Sequence, residues 1–294
     1  MEKHNFGYWV TSQTLPTQGS ALLDDFSVVR VTGEDAESFL HGQFTNHIQN
    51  LGNAYRLAAY CQPQGRILAL MRVFRVEDQF YLVLPRDLLP GFLKRLSMFI
   101  LRSRVKLEEA TDLKVLGLIN PAMDLPTCDT HTATWPIIAR VADAFGQPRA
   151  MAIGRAEALS VLRTQEMSTA HWYASDISAG LPWVCEATKE AFIPQWINLD
   201  LIGGLVFDKG CYPGQEVISR VQHIGKTPRR MISMVADGTI EVKANTEVAV
   251  EGAAVGNVVM ASSVANKIYC LVEATTKSIE EGQMLVKGQN LLHL

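Results

Sequence analysis

Residues 209–216 read KGCYPGQE. Their two glycines and one proline favour a tight loop, and the apolar run at 217–221 that follows is compatible with a helix. If that helix forms, the Cys211 thiol lies near backbone N–H groups at the positive end of the helix dipole, and Lys209 is close in sequence. Both features favour a thiolate. Cys211 is therefore the candidate reactive thiol, and Lys209 is its candidate catalytic partner.

The same stretch has a structural alternative. Free cysteines are among the most buried residues and most are inert, and spacing alone favours this alternative for Cys211. Gln215 and Glu216 carry side-chain oxygens that suit the amino and amide groups of a pterin-like ring. A Gln-Glu pair that opens a helix is more often a cap. Residue type therefore leaves both roles open at these positions.

An aromatic residue elsewhere is a second candidate for ring binding. Trp172 precedes a bend at Gly180 and Pro182, so its indole is placed to stack on a flat ligand ring. A tryptophan in such a segment is more commonly part of the core. The segment is therefore compatible with either role.

Composition sets limits on size and partners. The chain has 294 residues, of which 48% are hydrophobic and 19% charged. That predicts a sizeable core divided into two or three packed units. The formal net charge is −3, so no general basic surface is available to hold nucleic acid by neutralising its phosphates. Any contact with RNA must then be local or indirect.

Cysteine usage and the N-terminus indicate the compartment. The five cysteines are odd in number and widely spaced, which is typical of reduced thiols in the cytosol. No pair has C-x-x-C spacing, so we expect no resident zinc ion or iron–sulfur cluster. The N-terminal residues MEKHNFGYWV lack the features of a signal peptide, and no apolar run reaches the roughly 18 residues of a membrane span. These features predict a soluble, cytoplasmic protein.

Several common catalytic motifs are absent from the sequence. It contains no H-E-x-x-H, G-x-S-x-G, G-x-x-x-x-G-K-[ST] or dinucleotide-binding glycine pattern. Zinc hydrolase, serine hydrolase, P-loop and dinucleotide-binding functions therefore have no support.

Hydrophobic patterning predicts both strands and helices. The β-branched residues at 26–31 indicate a strand, and apolar residues within 36–44 have helical spacing. Gln43 and Thr45 then lie near the far end of that helix, where the simplest expectation is exposure to solvent.

Further along the chain, residues 66–75 and 79–84 are typical of a β-hairpin, and 86–101 of a long amphipathic helix. The prolines and threonines of 120–136 indicate a surface connection. Short alternating runs with glycines from about 232 onward predict a small separate β-barrel.

The octapeptide KGCYPGQE resembles the signature of the YgfZ family, K-G-C-[FY]-x-G-Q-E. Four further segments resemble that family in order and approximate spacing, so the resemblance covers nearly the whole chain. They are GEDAESFLHGQFT at 33–45, AAYCQPQGR at 58–66, ISAGLPWV at 177–184 and FIPQWINLDLIGGLVFDKG at 192–210.

The resemblance implies an α+β, GcvT-like fold, that of the aminomethyltransferase T-protein. Folate-binding units would surround a central channel within residues 1–230, and a small C-terminal β-barrel would follow at 231–294. It also implies a tetrahydrofolate or a derivative as cofactor, without a resident metal. The implied role is accessory: assembly or repair of iron–sulfur clusters in partners such as a tRNA methylthiotransferase, and through them tRNA modification.

Residue by residue, the resemblance assigns the folate-contacting aromatics to Phe26 and Trp172. The first of these positions is usually tryptophan in the family. Cys211 and Lys209 take the places of the motif cysteine and lysine and are the predicted catalytic residues. The predicted cofactor-binding residues are Phe26, Trp172, Tyr212, Gln215 and Glu216.

Two departures qualify what the resemblance implies. Aminomethyltransferases use an aspartate in the hairpin region, whereas the corresponding stretch here, GRILALMR at 65–72, contains no carboxylate. Loss of such a group removes roughly a hundredfold or more of acid–base assistance. Gln64 also stands where a lysine is common. A one-carbon transferase that acts on an unidentified acceptor is therefore the alternative function, and a folate-stabilised escort protein is a third.

Overall fold

The strands form three β-sheets within residues 8–11, 13–223, 227–281 and 283–294, which this computed structural model describes. The strands are β1 (Tyr8–Thr11), β2 (Gly19–Leu22), β3 (Phe26–Thr32), β4 (Arg56–Cys61), β5 (Ile67–Val76), β6 (Gln79–Pro85), β7 (Lys106–Glu109), β8 (Lys114–Ile119), β9 (Ile137–Ala144), β10 (Gln147–Gly154), β11 (Arg229–Asp237), β12 (Glu247–Val250), β13 (Ala253–Val264), β14 (Lys267–Thr275), β15 (Leu285–Val286), β16 (Gln289–Asn290) and β17 (Leu292–His293).

Short helices connect these sheets. None of them, in the part of the chain that the structure describes, is long and apolar enough to cross a bilayer. The helices are α1 (Ala36–Gln43), α2 (Leu89–Ser97), α3 (Ala156–Ser160), α4 (Thr169–Ser178), α5 (Gln215–His223) and α6 (Thr276–Glu281), with 3-10 turns at Arg86–Leu88 and Pro194–Ile197.

The first sheet has the order β4-β5-β6-β3-β7 and contains the predicted hairpin. Val76 pairs with Gln79, so Glu77 and Asp78 form the two-residue turn, as the sequence predicted. Strand β5 is buried along nearly its whole length. Its apolar run is explained by this burial, because a strand covered on both faces has no need for polar alternation.

Two local predictions around this sheet differ from the structure. The helix expected over 86–101 is a 3-10 turn followed by α2, which ends at Ser97. Leu101 has a positive φ of 45° and is 88% exposed, and Phe99 is 42% exposed, so these two apolar residues at the end of the predicted helix lie outside the core. Thr45 is the second difference: it is fully buried, and its hydroxyl donates to the Gly204 carbonyl at 2.7 Å.

The second sheet has the order β2-β8-β10-β9 and packs against α4. The segment 120–136, which joins β8 to β9, contains no strand or helix within the described residues, in agreement with the predicted connection. Thr130 and His131 form isolated bridges with Ala54 and Ala139. The connection is therefore bridged to the segment that precedes β4 and to β9.

The third sheet is the barrel-like sheet predicted for the C-terminal part. Its order is β16-β15-β12-β13-β14-β11-β17, and β1 pairs in parallel with β13. The N-terminal strand thus belongs to the C-terminal sheet. The predicted division at 230/231 falls inside β11 and remains a prediction. Helix α4 lies against this sheet, where the Ser262 hydroxyl donates to the Ala170 carbonyl at 2.7 Å.

A buried ion pair joins the second sheet to α4. Arg149 of β10 and Asp176 of α4 have no exposed side-chain surface, and their nearest nitrogen and oxygen atoms are 2.8 Å apart. Arg149 also donates to Ser175 Oγ at 2.6 Å and to the Ala142 carbonyl at 2.9 Å. The second carboxylate oxygen of Asp176 accepts from the Trp183 indole at 3.0 Å. One carboxylate therefore fixes both a guanidinium and an indole.

Replacement of Asp176 by Asn is expected to lower the free energy of unfolding by about 3 to 5 kcal/mol, because it leaves Arg149 buried without a counter-charge. Asp143→Asn is the matched control. Asp143 forms a half-exposed ion pair with Arg140, and such a pair contributes at most about 1 kcal/mol. Urea unfolding followed by circular dichroism measures both effects. Equal losses in the two variants would contradict the assigned importance of the buried pair.

Candidate functional site

The KGCYPGQE segment forms a loop that leads into a helix, as predicted. Helix α5 begins at Gln215 and includes the apolar run at 217–221. Cys211 is exposed and lies in the loop, four residues before the helix begins. Its thiol is therefore accessible from outside the protein.

Two glycines hold this loop against the turn at 62–66. Gly214 has a φ of +85°, and a Cβ at that position would lie 2.6 Å from the Gln62 carbonyl oxygen and 2.8 Å from Gly65 Cα. A Cβ on Gly65 would meet the side chains of Val217 and Ile218 at 3.3 Å. Only glycine permits so close an approach of the two backbones. The QPQGR and KGCYPGQE segments are thus parts of one packed unit.

Lys209 anchors the loop to α1. Its ammonium group donates to the carbonyl oxygens of His41 and Phe44 at the C-terminal end of that helix. The His41 carbonyl lies at the negative end of the helix dipole, and the Phe44 carbonyl belongs to the extended residue that caps the helix; both oxygens suit a cation. Burial lowers the pKa of Lys209 to about 8. The predicted pairing of Lys209 with the Cys211 thiolate remains a prediction, since the ammonium group contacts α1 here.

The other predicted residues of the motif have separate environments. Tyr212 is buried, its ring centre is 4.9 Å from Lys209 Nζ, and its hydroxyl has no hydrogen-bond partner among the described residues. Burial raises the pKa of Tyr212. Gln215 Nε2 donates to the Lys209 carbonyl at 3.4 Å. Glu216 is exposed and accepts from Arg220 at 3.1 Å. Tyr212 and Gln215 therefore hold the loop, whereas Glu216 faces solvent.

The two predicted folate-contacting aromatics lie in the core. Phe26 packs edge-on against Trp183, with ring centres 4.6 Å apart. Trp172 has no exposed surface, and a Cβ on Gly117 would lie 2.5 Å from its ring. The Arg149 guanidinium lies 4.9 Å from the Trp172 ring centre. In this conformation, ligand stacking on Trp172 would require the core to open.

A cavity of about 520 Å³ lies between the first and second sheets and the 202–206 segment. None of the seven predicted site residues lines it in the described part of the chain. The lining combines apolar side chains with a few polar and charged ones. The lining residues are Asn46, His47, Tyr55, Arg56, Leu57, Arg72, Cys128, Asp129, Ala142, Ala179, Leu181, Ile202, Gly203 and Val206.

Arg72 of β5 is the most buried charged residue of this cavity, with 3% of its surface exposed. Within the described residues it forms no ion pair, and its hydrogen bond is a weak one to Met151 Sδ at 4.0 Å. Its guanidinium lies 4.6 Å from the Trp183 ring centre. The cavity therefore contains a buried cation that the protein itself does not neutralise.

Tyr55 and Asp129 supply a neutral and an acidic polar group to the same cavity. The Tyr55 hydroxyl lies 3.2 Å from Asp129 Oδ1 and 3.0 Å from the Arg140 carbonyl oxygen. Burial raises the pKa of Tyr55, so the phenol stays protonated and acts as a donor. Asp129 is exposed and keeps a second carboxylate oxygen for other donors. The Tyr55 O–H is thus used within the protein, and the cavity offers Arg72 as a donor and the second oxygen of Asp129 as an acceptor to a bound molecule.

Sequence reasoning missed Arg72 and Trp183. A signal for Arg72 exists, because it is one charged residue in the run ILALMRVF, which otherwise consists of apolar residues. A charge inside a fully buried strand needs a partner or a function. The role of Trp183 had no such signal, since its contacts with Phe26, Arg72 and Asp176 come from three separate parts of the chain.

Gly214→Ala is expected to lower the free energy of unfolding by about 1 to 3 kcal/mol, because the new Cβ would meet backbone atoms and φ is positive. Gly210→Ala is a control in the same loop, since a Cβ there has no neighbour within 4 Å. It should change stability by less than about 0.5 kcal/mol. Urea unfolding gives both values, and a harmless Gly214→Ala would show that the two segments do not need this close contact.

Comparison with known proteins places this geometry in context. No family model matches the chain. It is 32% identical over 234 residues to the tRNA-modifying protein YgfZ of Cronobacter sakazakii, an alignment that covers 74% of this chain and 71% of that protein. It is 30% identical over 229 residues to an uncharacterized protein of Haemophilus influenzae, with 77% and 76% covered.

A solved structure gives the fold. The glycine cleavage system aminomethyltransferase T from Bartonella henselae matches with a TM-score of 0.71 at 14% identity, over 96% of this chain and 86% of that one. The predicted α+β, GcvT-like fold with a C-terminal barrel is therefore confirmed. Identity of about 30% over more than two thirds of its relatives' length, together with the docked KGCYPGQE loop, shows that the chain belongs to the YgfZ family.

Proposed function

We propose that this protein is a folate-dependent accessory protein that supports tRNA modification through the assembly or repair of iron–sulfur clusters in partner enzymes. The observation that carries the proposal is the cavity of about 520 Å³, which contains an unneutralised guanidinium, in a fold shared with an aminomethyltransferase. The name of the Cronobacter relative, a tRNA-modifying protein, supports the tRNA part. The site of action we propose is the cytoplasm.

The cavity residues fit a tetrahydrofolate. Ligand pockets in proteins commonly enclose about 300 to 1,000 Å³, so the volume is suitable. Leu57, Leu181 and Ile202 offer apolar contact to flat rings, and the free oxygen of Asp129 suits the amino groups of a pterin. Arg72 suits a carboxylate. When bound, tetrahydrofolate would supply a carrier for one-carbon units.

For Phe26 and Trp172 we propose support of the cavity from the core side. Phe26 packs on Trp183, which in turn contacts the Arg72 guanidinium. Trp172 contacts Arg149, whose partner Asp176 holds the Trp183 indole. Both aromatics therefore influence how Arg72 is presented. The direct contact with folate that the resemblance implies remains a prediction for each.

We propose that the KGCYPGQE loop presents the Cys211 thiol to a partner protein. Cys211 is exposed, while Lys209 and Gly214 fix the loop to α1 and to the 62–66 turn. A fixed, accessible thiol suits contact with a cluster or a sulfur carrier on another protein. Iron–sulfur enzymes such as a tRNA methylthiotransferase are the partners we propose. A net charge of −3 favours this indirect route over binding of tRNA by the protein itself.

A one-carbon transferase on an unidentified acceptor is less well supported. Stretch 65–72 carries no carboxylate, and the charged group that it places in the cavity is the cation Arg72. A cation cannot accept a proton from an amine in the way that a carboxylate does.

Tetrahydrofolate is expected to bind the purified protein saturably, as measured by isothermal titration calorimetry. Trp172→Phe should weaken binding by less than about tenfold if the ring supports the cavity from the core side, since most of its packing is kept. Cys211→Ser should bind as tightly as the parent protein, because the thiol lies outside the cavity. No heat of binding in the unmodified protein would refute folate dependence.

Cys211→Ser is also expected to lower methylthiolation of tRNA at least tenfold in cells that depend on this protein for that modification. Cys270→Ala, which removes a thiol on β14 that lines neither the cavity nor the motif loop, is the control and should retain the activity. Mass spectrometry of digested tRNA measures the modified nucleoside. Full activity of Cys211→Ser would show that the thiol is not required and would favour the escort function.

A further inference from the structure

We propose that Arg72 is the anion receptor of the cavity and that it binds a carboxylate of the ligand. The ligand's identity as a folate rests on the proposed function above, whereas the requirement for an anion rests on Arg72 itself. Nothing in the KGCYPGQE motif points to this residue, which lies on β5 in another part of the chain.

Arg72 and Arg149 are a natural comparison within one protein. Both guanidinium groups are buried, with 3% and 0% exposure. Arg149 has a carboxylate, a hydroxyl and a carbonyl as partners. Arg72 has one weak contact to a thioether and no carboxylate within 4.0 Å among the described residues. Burial of a charge without a partner is costly, so an external anion that supplies the missing partner would bind favourably at Arg72.

The other charged groups of the cavity are already engaged. Asp129 accepts from Tyr55, Arg56 donates to the Tyr55 carbonyl at 3.1 Å, and His47 lies 3.1 Å from Asp208. None of these interactions involves Arg72. Among the described residues, Arg72 is therefore the cation of this cavity that is buried and has no oxygen atom of the protein as a hydrogen-bond partner.

The orientation of Arg72 suits a planar anion. Its guanidinium lies 4.6 Å from the Trp183 ring centre, and Trp183 is held by Asp176 and packed by Phe26. A stacked guanidinium keeps its edge N–H groups free, and two of them match the two oxygens of a carboxylate. In a folate the glutamate part carries carboxylates, whereas the pterin ring carries none. The structure therefore assigns Arg72 to the tail of such a ligand.

The test compares ligands that share only part of the folate structure. Tetrahydrofolate, p-aminobenzoyl-glutamate, 6-methyltetrahydropterin and sulfate are titrated by calorimetry into the full chain. The variants are Arg72→Met and Arg72→Lys. Arg75→Met is the control, because Arg75 lies on the same strand and is paired with Glu37.

Arg72→Met should weaken tetrahydrofolate and p-aminobenzoyl-glutamate about 10- to 100-fold, the range expected for a lost hydrogen bond to a charged group. Arg72→Lys, which keeps the charge without the planar fork, should weaken them less. Binding of 6-methyltetrahydropterin should be unchanged in both. Arg75→Met should bind every ligand as the parent does.

The melting temperature of the ligand-free protein distinguishes a ligand-binding role of Arg72 from a structural role. Replacement of an unpaired buried charge by an apolar side chain should keep or raise the melting temperature. A lower melting temperature in Arg72→Met, with binding of p-aminobenzoyl-glutamate within twofold of the parent, would make Arg72 structural and overturn the inference. If Arg72→Met does not fold, unchanged binding in a folded Arg72→Lys would likewise count against the carboxylate fork.

The outcomes also separate this inference from the folate proposal. Tetrahydrofolate that binds equally well with and without Arg72 would overturn the receptor while folate dependence stands. Absence of tetrahydrofolate binding, together with Arg72-dependent binding of p-aminobenzoyl-glutamate or sulfate, would support the receptor and refute folate as the ligand.

Discussion

The arrangement of the core depends on how the protein accommodates two buried guanidinium groups. Arg149 is neutralised by Asp176, which lies on another element and binds the Trp183 indole through its second oxygen. A carboxylate shared in this way leaves little freedom to α4 or to the segment that carries Trp183, because any shift would strip a buried charge of its partner. The second sheet, α4 and the aromatic core are therefore held in one arrangement.

Arg72 lies over the ring of Trp183, and its charge meets the cavity and not a carboxylate. The indole thus donates to Asp176 through its N–H group and contacts Arg72 through its ring. Phe26 is buried and packs against the same ring. The cavity is connected to the core through this ring, because Arg72 of the cavity lining contacts it.

The KGCYPGQE loop is positioned by backbone contacts and hydrogen bonds, and not by a buried ion pair. Its position depends on backbone contact between Gly214 and the 62–66 turn, and on the bonds from Lys209 to the carbonyl end of α1. The most recognisable residues of the sequence are therefore largely devoted to fixing one exposed thiol, and they do not line the cavity. A motif can thus identify a family through residues that position one exposed group and that do not line the cavity.

Local patterns determined much of this protein. The hairpin about Glu77 and Asp78, helix α1, helix α5 after the motif, and the C-terminal barrel-like sheet follow from hydrophobic period, turn residues and glycine placement, which act over a few neighbouring residues. Thr45 differed from expectation because its partner, the Gly204 carbonyl, is remote in sequence. Helix α2 was shorter than its apolar pattern indicated, because periodicity does not detect the positive φ of Leu101.

Only the tertiary structure decided which residues share a site. Arg72, Tyr55 and Asp129 come together through contacts between strands and a long connection, and Lys209 reaches α1 across more than half of the chain. The sequence alone indicated that Cys211 lies before a helix, but the direction of the Lys209 ammonium group and the burial of Trp172 depended on packing. The residue type determines which chemistry a side chain can perform, whereas the partner of that side chain depends on which remote segments folding brings together.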